Sequence, residues 1–222
     1  SDVCSSDLAN IWKNGVSAAP RLCILASEHS HYSVSRAAGI MGLGTEAVIP
    51  IACDADGRMR IDDLKQAHQH CITQQQTIIA VAANAGCTAT GSVDPLEAIG
   101  QYCQANQLWF HVDGAFGALA ALAPRLRPLI KGLERADSIA FDFHKWLHVP
   151  YDAGFFLVRD PHAHKRAFAA NAAYLTRAPR GLAEGETWPC DLGADLSRGF
   201  RALKTWITIE TFGAQKLGQC ID

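Results

Sequence analysis

A chain of 222 residues, 49% of them hydrophobic and with a formal net charge of -2, has the length of one domain with room for part of a second, and it can bury a sizeable core. Basic and acidic residues are interspersed along it, so it carries neither a nucleic-acid footprint nor a basic membrane-surface patch. No apolar stretch reaches the ~20 residues needed to span a bilayer, and the N-terminus lacks the basic start and apolar core of a secretory signal.

The opening Ser1–Leu8 has no clear periodicity, and residues 1–20 read as an atypical or truncated segment. Arg21–Ala26 is a short apolar run and reads as a strand, Ser33–Met41 as a helix, and Ala47–Ile51 as a second strand. Asp54–Gly57 is turn chemistry. Ile61, Leu64, His68, Cys71 and Ile72 recur at helical spacing, with Asp62 and Asp63 near the positive N-terminal end. Thr77–Ala83 is a continuous apolar run, as expected of a strand buried on both faces. Asp94-Pro95 opens a helix through Ala105, and Leu108–Val112, Ser138–Phe141 and Gly154–Val158 read as further strands. Thr176–Leu196, rich in Gly, Pro and Ala, reads as a long loop of the kind used as a lid. Phe200–Ile221 is a closing helical pattern without a cap. Both ends therefore read as truncated.

Strands alternating with helices predict an α/β domain with a mainly parallel sheet. In such sheets ligands bind at the carboxyl ends of the strands. The polar residues that stand out fall there: His31 after the first strand, Thr88 after Thr77–Ala83, Asp113 after Leu108–Val112, and His144-Lys145 after the Ser138 strand. Eight cysteines without a C-x-x-C pair read as reduced thiols of a cytosolic protein, mostly small core residues.

Lys145 just beyond an apolar strand, flanked by His144 and Trp146, suits a desolvated, nucleophilic amine that forms a Schiff base with an aldehyde cofactor. A surface lysine whose stem covers Trp146 is the plainer alternative. Asp113, in His111-Val112-Asp113-Gly114-Ala115, suits a carboxylate that keeps a pyridine nitrogen protonated and the ring electron-poor. The small Gly114 and Ala115 would let a flat ring approach the backbone. Equally, Asp113 could cap a helix starting at Ala115. His31 could stack on such a ring, or be an ordinary loop histidine. Thr88 offers a hydroxyl, or plain turn chemistry. The H-x-H pairs His29/His31, His68/His70 and His162/His164 are not expected to hold a metal, since two of them lie in helical segments where i,i+2 residues diverge.

Taken together, five segments in order resemble one family. Ser138–Leu147 resembles the cofactor-lysine signature of the group II pyridoxal-phosphate-dependent amino acid decarboxylases, which include the aromatic amino acid, histidine and glutamate decarboxylases. His111–Phe116 resembles the family's cofactor-aspartate segment, and Ser27–Val34 its ring-stacking histidine segment with His31 at the stacking position. Gly86-Cys87-Thr88 is similar to its Gly-Thr-Thr loop, and Ser197–Lys204 to the start of a long helix. The resemblance covers almost everything from Arg21 onward.

It implies the large domain of a fold type I enzyme over residues 21–222, with the small C-terminal domain missing. It also implies pyridoxal 5'-phosphate on Lys145, cofactor contacts from Asp113, His31, Ala115, Thr88, His144 and Asp142, and catalysis by Lys145, His31 and Asp113 on an L-amino acid. A cytoplasmic homodimer with shared sites is the expected assembly. Three departures stand out. The family's Gly/Ser-rich phosphate loop is not found upstream of His31, so this chain alone is expected to bind the cofactor poorly. Asp142 stands where several relatives have an asparagine that touches the phosphate. Thr176–Asp195 holds no tyrosine, where relatives carry the one that protonates the product, and Trp188-Pro189 falls near that place. Slow decarboxylation with an aldehyde side product under air is the expected consequence. A related lyase or oxidative deaminase, to be told apart by product analysis, and an inert fragment without cofactor, to be told apart by visible absorbance, are the alternatives.

Overall fold

The computed structural model describes residues 11–169, 180, 181, 185 and 187–222. Ser1–Leu8 and most of Thr176–Glu186 therefore lie outside the described residues. Six strands form one sheet: β1 (Leu22–Ser27), β2 (Val48–Ile51), β3 (Thr77–Asn84), β4 (Phe110–Asp113), β5 (Ser138–Asp142) and β6 (Gly154–Val158). Their spatial order is β2-β1-β3-β4-β5-β6. All neighbours pair in parallel except β5 with β6, which run antiparallel.

The helices are the short α1 (Ile11–Asn14), α2 (Ser33–Ile40), α3 (Ile61–Thr73), α4 (Leu96–Ala105), α5 (Pro161–Phe168), α6 (Arg201–Phe212) and α7 (Ala214–Ile221). Two expectations shift. The pattern over Phe200–Ile221 forms two helices, because Gly213 adopts φ +75° between them. Leu108–Val112 begins its strand only at Phe110, since Gln107 turns at φ +57° just before. Helix α5, the helical segment expected around His162 and His164, starts where the Asp160 side chain accepts the His162 N–H and Pro161 occupies the first turn.

Strand alternation sorts the core. One face of the sheet carries Leu25, Val81, Ala83 and Val112 against Leu64 and Cys71 of α3 and Leu96 and Ile99 of α4. Each fully buried leucine or isoleucine there contributes about 1.5–3 kcal/mol. The opposite face carries Ile24, Ala26 and Ala82 against Ala38 and Val34 of α2. Toward β4 and β5 the same face lines a cleft, through His111, Asp113, Ala140 and Asp142. Strand order reverses beside β1, so the crevice at the carboxyl ends of β1, β3, β4 and β5 is where this topology places ligands. Among the described residues no helix is long and apolar enough to cross a membrane.

Candidate active site

The cleft has a volume of about 1050 Å³, and it gathers His31, Thr88, Asp113, Ala115, Asp142 and Lys145 from four separate connections. Ala80 and Ala82 of β3 and Ala140 of β5 also line it. Alternation puts these residues on one side of the sheet, and their size leaves room for a flat group.

Lys145 sits in the turn after β5, where its N–H donates to the Asp142 carbonyl at 3.2 Å. Its Nζ lies 2.7 Å from Asp142 Oδ2 and 4.5 Å from the centre of the Phe116 ring. The amine is thus held as an ion pair, with about a quarter of the side chain exposed, rather than isolated in an apolar pocket as the sequence suggested. Asp142, expected from the resemblance to lie near the phosphate, is the ion-pair partner of Lys145 in this structure.

Asp113 ends β4, flanked in register by Asn84 of β3 and Ala140 of β5. Its Oδ1 accepts the Ala115 N–H at 3.1 Å. This is a local turn contact rather than the cap of a helix starting at Ala115, since the next helical turn begins only at Gly117. Ala115 lines the cleft, whereas Gly114 serves another neighbour: a Cβ there would come within 2.5 Å of the Ala118 Cβ. Gly117 is small for a comparable reason. Its N–H donates to the Ala85 carbonyl at 2.9 Å, and a Cβ would stand 2.5 Å from that oxygen. The Asp113 turn and the loop bearing Thr88 therefore touch backbone to backbone.

His31 lines the cleft, with Nδ1 2.9 Å from Ser33 Oγ at the start of α2. His144 does not line it. Its Nδ1 accepts the Ala153 N–H at 2.9 Å and its ring packs 4.2 Å from Tyr151, so it helps shape the turn that carries Lys145.

Several residues of the site were not singled out from the sequence. His111, two before Asp113 on the same face of β4, lines the cleft with Nδ1 2.9 Å from Ser138 Oγ, which also accepts the Trp109 indole N–H at 2.8 Å. Burial pushes the His111 imidazole below its ordinary range, against the opposing pull of the Asp113 charge. Strand alternation from Asp113 was the signal that could have found it. His164 of α5 and Arg198 line the outer wall, placed there by tertiary packing that no local pattern announces. Arg198 Nη2 donates to the Pro189 and Asp195 carbonyls, each at 3.3 Å. Trp188 and Pro189 also line the cleft, so this end of the long loop reaches the site. Reciprocal bonds hold it there: Trp188 N–H to Asp191 Oδ2 at 2.8 Å, and Asp191 N–H to the Trp188 carbonyl at 2.9 Å.

Behind the site, Asp94 is 2% exposed. Its carboxylate accepts the N–H of Met59 at 2.6 Å and of Asn84 at 2.7 Å, and its own N–H donates to the Asn84 carbonyl. It ties the end of β3 to the strand-like return at Val93 and so sets the Thr88 loop. The side-chain nitrogen of Asn84 is buried and has no partner among the described residues. An amine, a carboxylate and a hydroxyl over a floor of alanines form a set that fits a flat aromatic aldehyde with a basic ring nitrogen.

The family model described as the pyridoxal-dependent decarboxylase conserved domain matches residues 12–222. The chain is 35% identical over 196 residues to an aromatic-L-amino-acid decarboxylase of Bacillus atrophaeus, covering 88% of this chain and 41% of that protein. It is 36% identical over 198 residues to an L-2,4-diaminobutyrate decarboxylase of Rhizobium meliloti (strain 1021), covering 89% and 39%. The crystal structure of mouse CSAD superposes with a TM-score of 0.84 at 31% identity, over 94% of this chain and 43% of that one. The chain thus spans about two-fifths of the length of the curated relatives it matches.

Proposed function

The chain belongs to the pyridoxal-dependent decarboxylase family, and from that premise we propose that it forms the cofactor-binding part of an enzyme that removes the α-carboxylate of an L-amino acid. The observation that carries this reading is the convergence of Lys145, Asp113, Thr88 and His31 on one cleft at the carboxyl ends of β5, β4, β3 and β1. Pyridoxal phosphate, when bound, supplies an electron sink for the bond broken at Cα.

The residues divide the remaining work. Lys145 would hold the cofactor aldehyde through its amine, and Asp142 keeps that amine in place until it is needed. Asp113 would face the pyridine nitrogen and keep a proton on it. His31 would cover one face of the ring, with Ala115 and Thr88 at its edge. His111, neutral near physiological pH because of its burial, adds no charge beside Asp113. Arg198 offers a guanidinium to a carboxylate in the outer wall. Trp188 and Pro189 exclude water from that side. A homodimer in the cytoplasm is part of the same reading. It is supported by the exposed apolar side chains of Phe200, Leu203, Trp206 and Ile207, which need a cover.

The test is borohydride reduction of the cofactor-loaded protein followed by peptide mapping. A label on Lys145 is expected, and a label on any other lysine would overturn the assignment.

A further inference from the structure

We propose that Glu28, His29 and Cys53 form a site for a borderline-soft divalent cation, with Zn²⁺ the best match, at the carboxyl ends of β1 and β2. The H-x-H pair His29/His31 is not expected from its sequence to hold a metal, and the fold separates the two rings: His31 faces the cleft and bonds Ser33, while His29 groups with Glu28 and Cys53. One ligand atom from each of these three lies within 4.8 Å of the others. A tetrahedral ion with bonds of about 2.0–2.3 Å sets its ligands roughly 3.3–3.8 Å apart. Closing that gap takes about 1 Å, which side-chain rotation of the exposed Glu28 and His29 supplies.

The strand ends dictate the grouping. β1 and β2 are parallel with Ser27 opposite Ile51, and the ladder continues through Glu28 N–H to the Ile51 carbonyl at 2.9 Å. Cys53 follows two residues later and is fixed twice, by its bridge to Met59 and by its N–H to Glu28 Oε1 at 2.6 Å. The carboxylate is thereby anchored beside the thiol before any ion arrives. A thiolate, an imidazole and a carboxylate match zinc in softness, and three protein ligands leave the fourth position to water. Together the thiolate and carboxylate balance the charge of the ion.

Without metal, Cys53 is a protonated thiol: its burial raises the pKa, the Ser27 hydroxyl lowers it, and the Asp94 and Glu28 charges add to the rise. Binding therefore forms the metal–sulfur bond and releases that proton to solvent. The ion would also brace the active cleft from behind. The His29 carbonyl accepts the Cys87 thiol at 3.2 Å, so the metal would pin together the segments that carry His31 and Thr88.

The probe is Co²⁺ added to the purified full-length protein, because thiolate ligation gives an intense near-ultraviolet charge-transfer band. Saturation at one equivalent, displacement by Zn²⁺ and buffer-dependent release of one proton are expected. The band should vanish in Cys53→Ser and persist when the other partly accessible thiols among the described residues, Cys190 and Cys220, are replaced by serine. Glu28→Gln keeps the acceptor for Cys53 N–H but loses the charge. It and His29→Ala should each weaken affinity by more than the roughly 10-fold that losing an outer contact costs. No saturable band in the native protein, or an unchanged band in Cys53→Ser, would overturn the site. Should Cys53→Ser fail to fold, His29→Ala decides, since its side chain is exposed and unchanged Co²⁺ affinity there would refute the proposal.

Discussion

Replacing Asp94 by alanine removes the one acceptor shared by two buried backbone donors, Met59 N–H and Asn84 N–H. A buried donor left without a partner costs about 1–3 kcal/mol, so the pair predicts a loss of about 2–6 kcal/mol. That is a large share of the roughly 5–15 kcal/mol that holds a domain together. Asp94→Asn keeps one oxygen and abandons one donor, so its loss should be about half, reduced further because a buried charge is also removed. The pH dependence adds a second test. Burial raises the Asp94 carboxyl above its ordinary range, against the pull of the Asn84 and Met59 N–H groups. The folded state therefore binds this proton more tightly than the unfolded chain does. Stability from this residue is highest below the ordinary carboxylate value and declines as pH rises to the raised one. Asp94→Asn should flatten that decline. Urea titrations at several pH values, compared through their midpoints at constant slope, measure both effects. An Asp94→Ala protein within about 0.5 kcal/mol of the native one would refute the reasoning, as would an Asn variant as damaged as the Ala variant.

Two more predictions concern the chemistry. Asp113→Ala should fold, as far-ultraviolet circular dichroism would show, yet lose the several kcal/mol of barrier lowering that a charged partner supplies in a closed site; full turnover in that variant would remove the carboxylate from the mechanism. Trp188→Tyr places a general acid where the structure shows the loop lining the cleft. It should raise the amine-to-aldehyde ratio of products formed under air, and speed turnover by up to about 10²–10⁴-fold if native reprotonation is rate-limiting. Clean, fast amine production by the native sequence would show that another group already delivers that proton.

The sheet was legible because its strands are punctuated apolar runs, and Thr77–Ala83 is the clearest. Burial on both faces leaves no polar alternation to confuse it with a surface strand. Helix α5 was read only as a helical segment around His162 and His164, without bounds, although it carries the same Asp-Pro start that marked α4: its sequence is polar after the first residues, and only Ala163 is buried. Lys145, Asp113, Thr88 and His31 could be read because each sits at a strand end, where the topology itself predicts a ligand. His164 and Arg198 could not, since they reach the cleft from α5 and from the segment before α6, and their placement depends on long-range packing. His144 was given a cofactor contact by the family resemblance, and in this structure its ring packs against Tyr151.

The glycine contact between the Asp113 turn and the Thr88 loop has a consequence for anyone reshaping this cleft. Gly86, at φ +85°, would bring a Cβ to 3.1 Å from Gly117 N, and Gly117 presses on Ala85 in return. The two loops behave like meshed gear teeth, so the effect of changing one depends on the other and single-site gains will not add. A library that varies residues 86–88 and 114–117 one loop at a time explores only sequences compatible with the existing partner. Altered cofactor geometry lies in the combinations, and recombination between relatives should exchange the two loops as a single block.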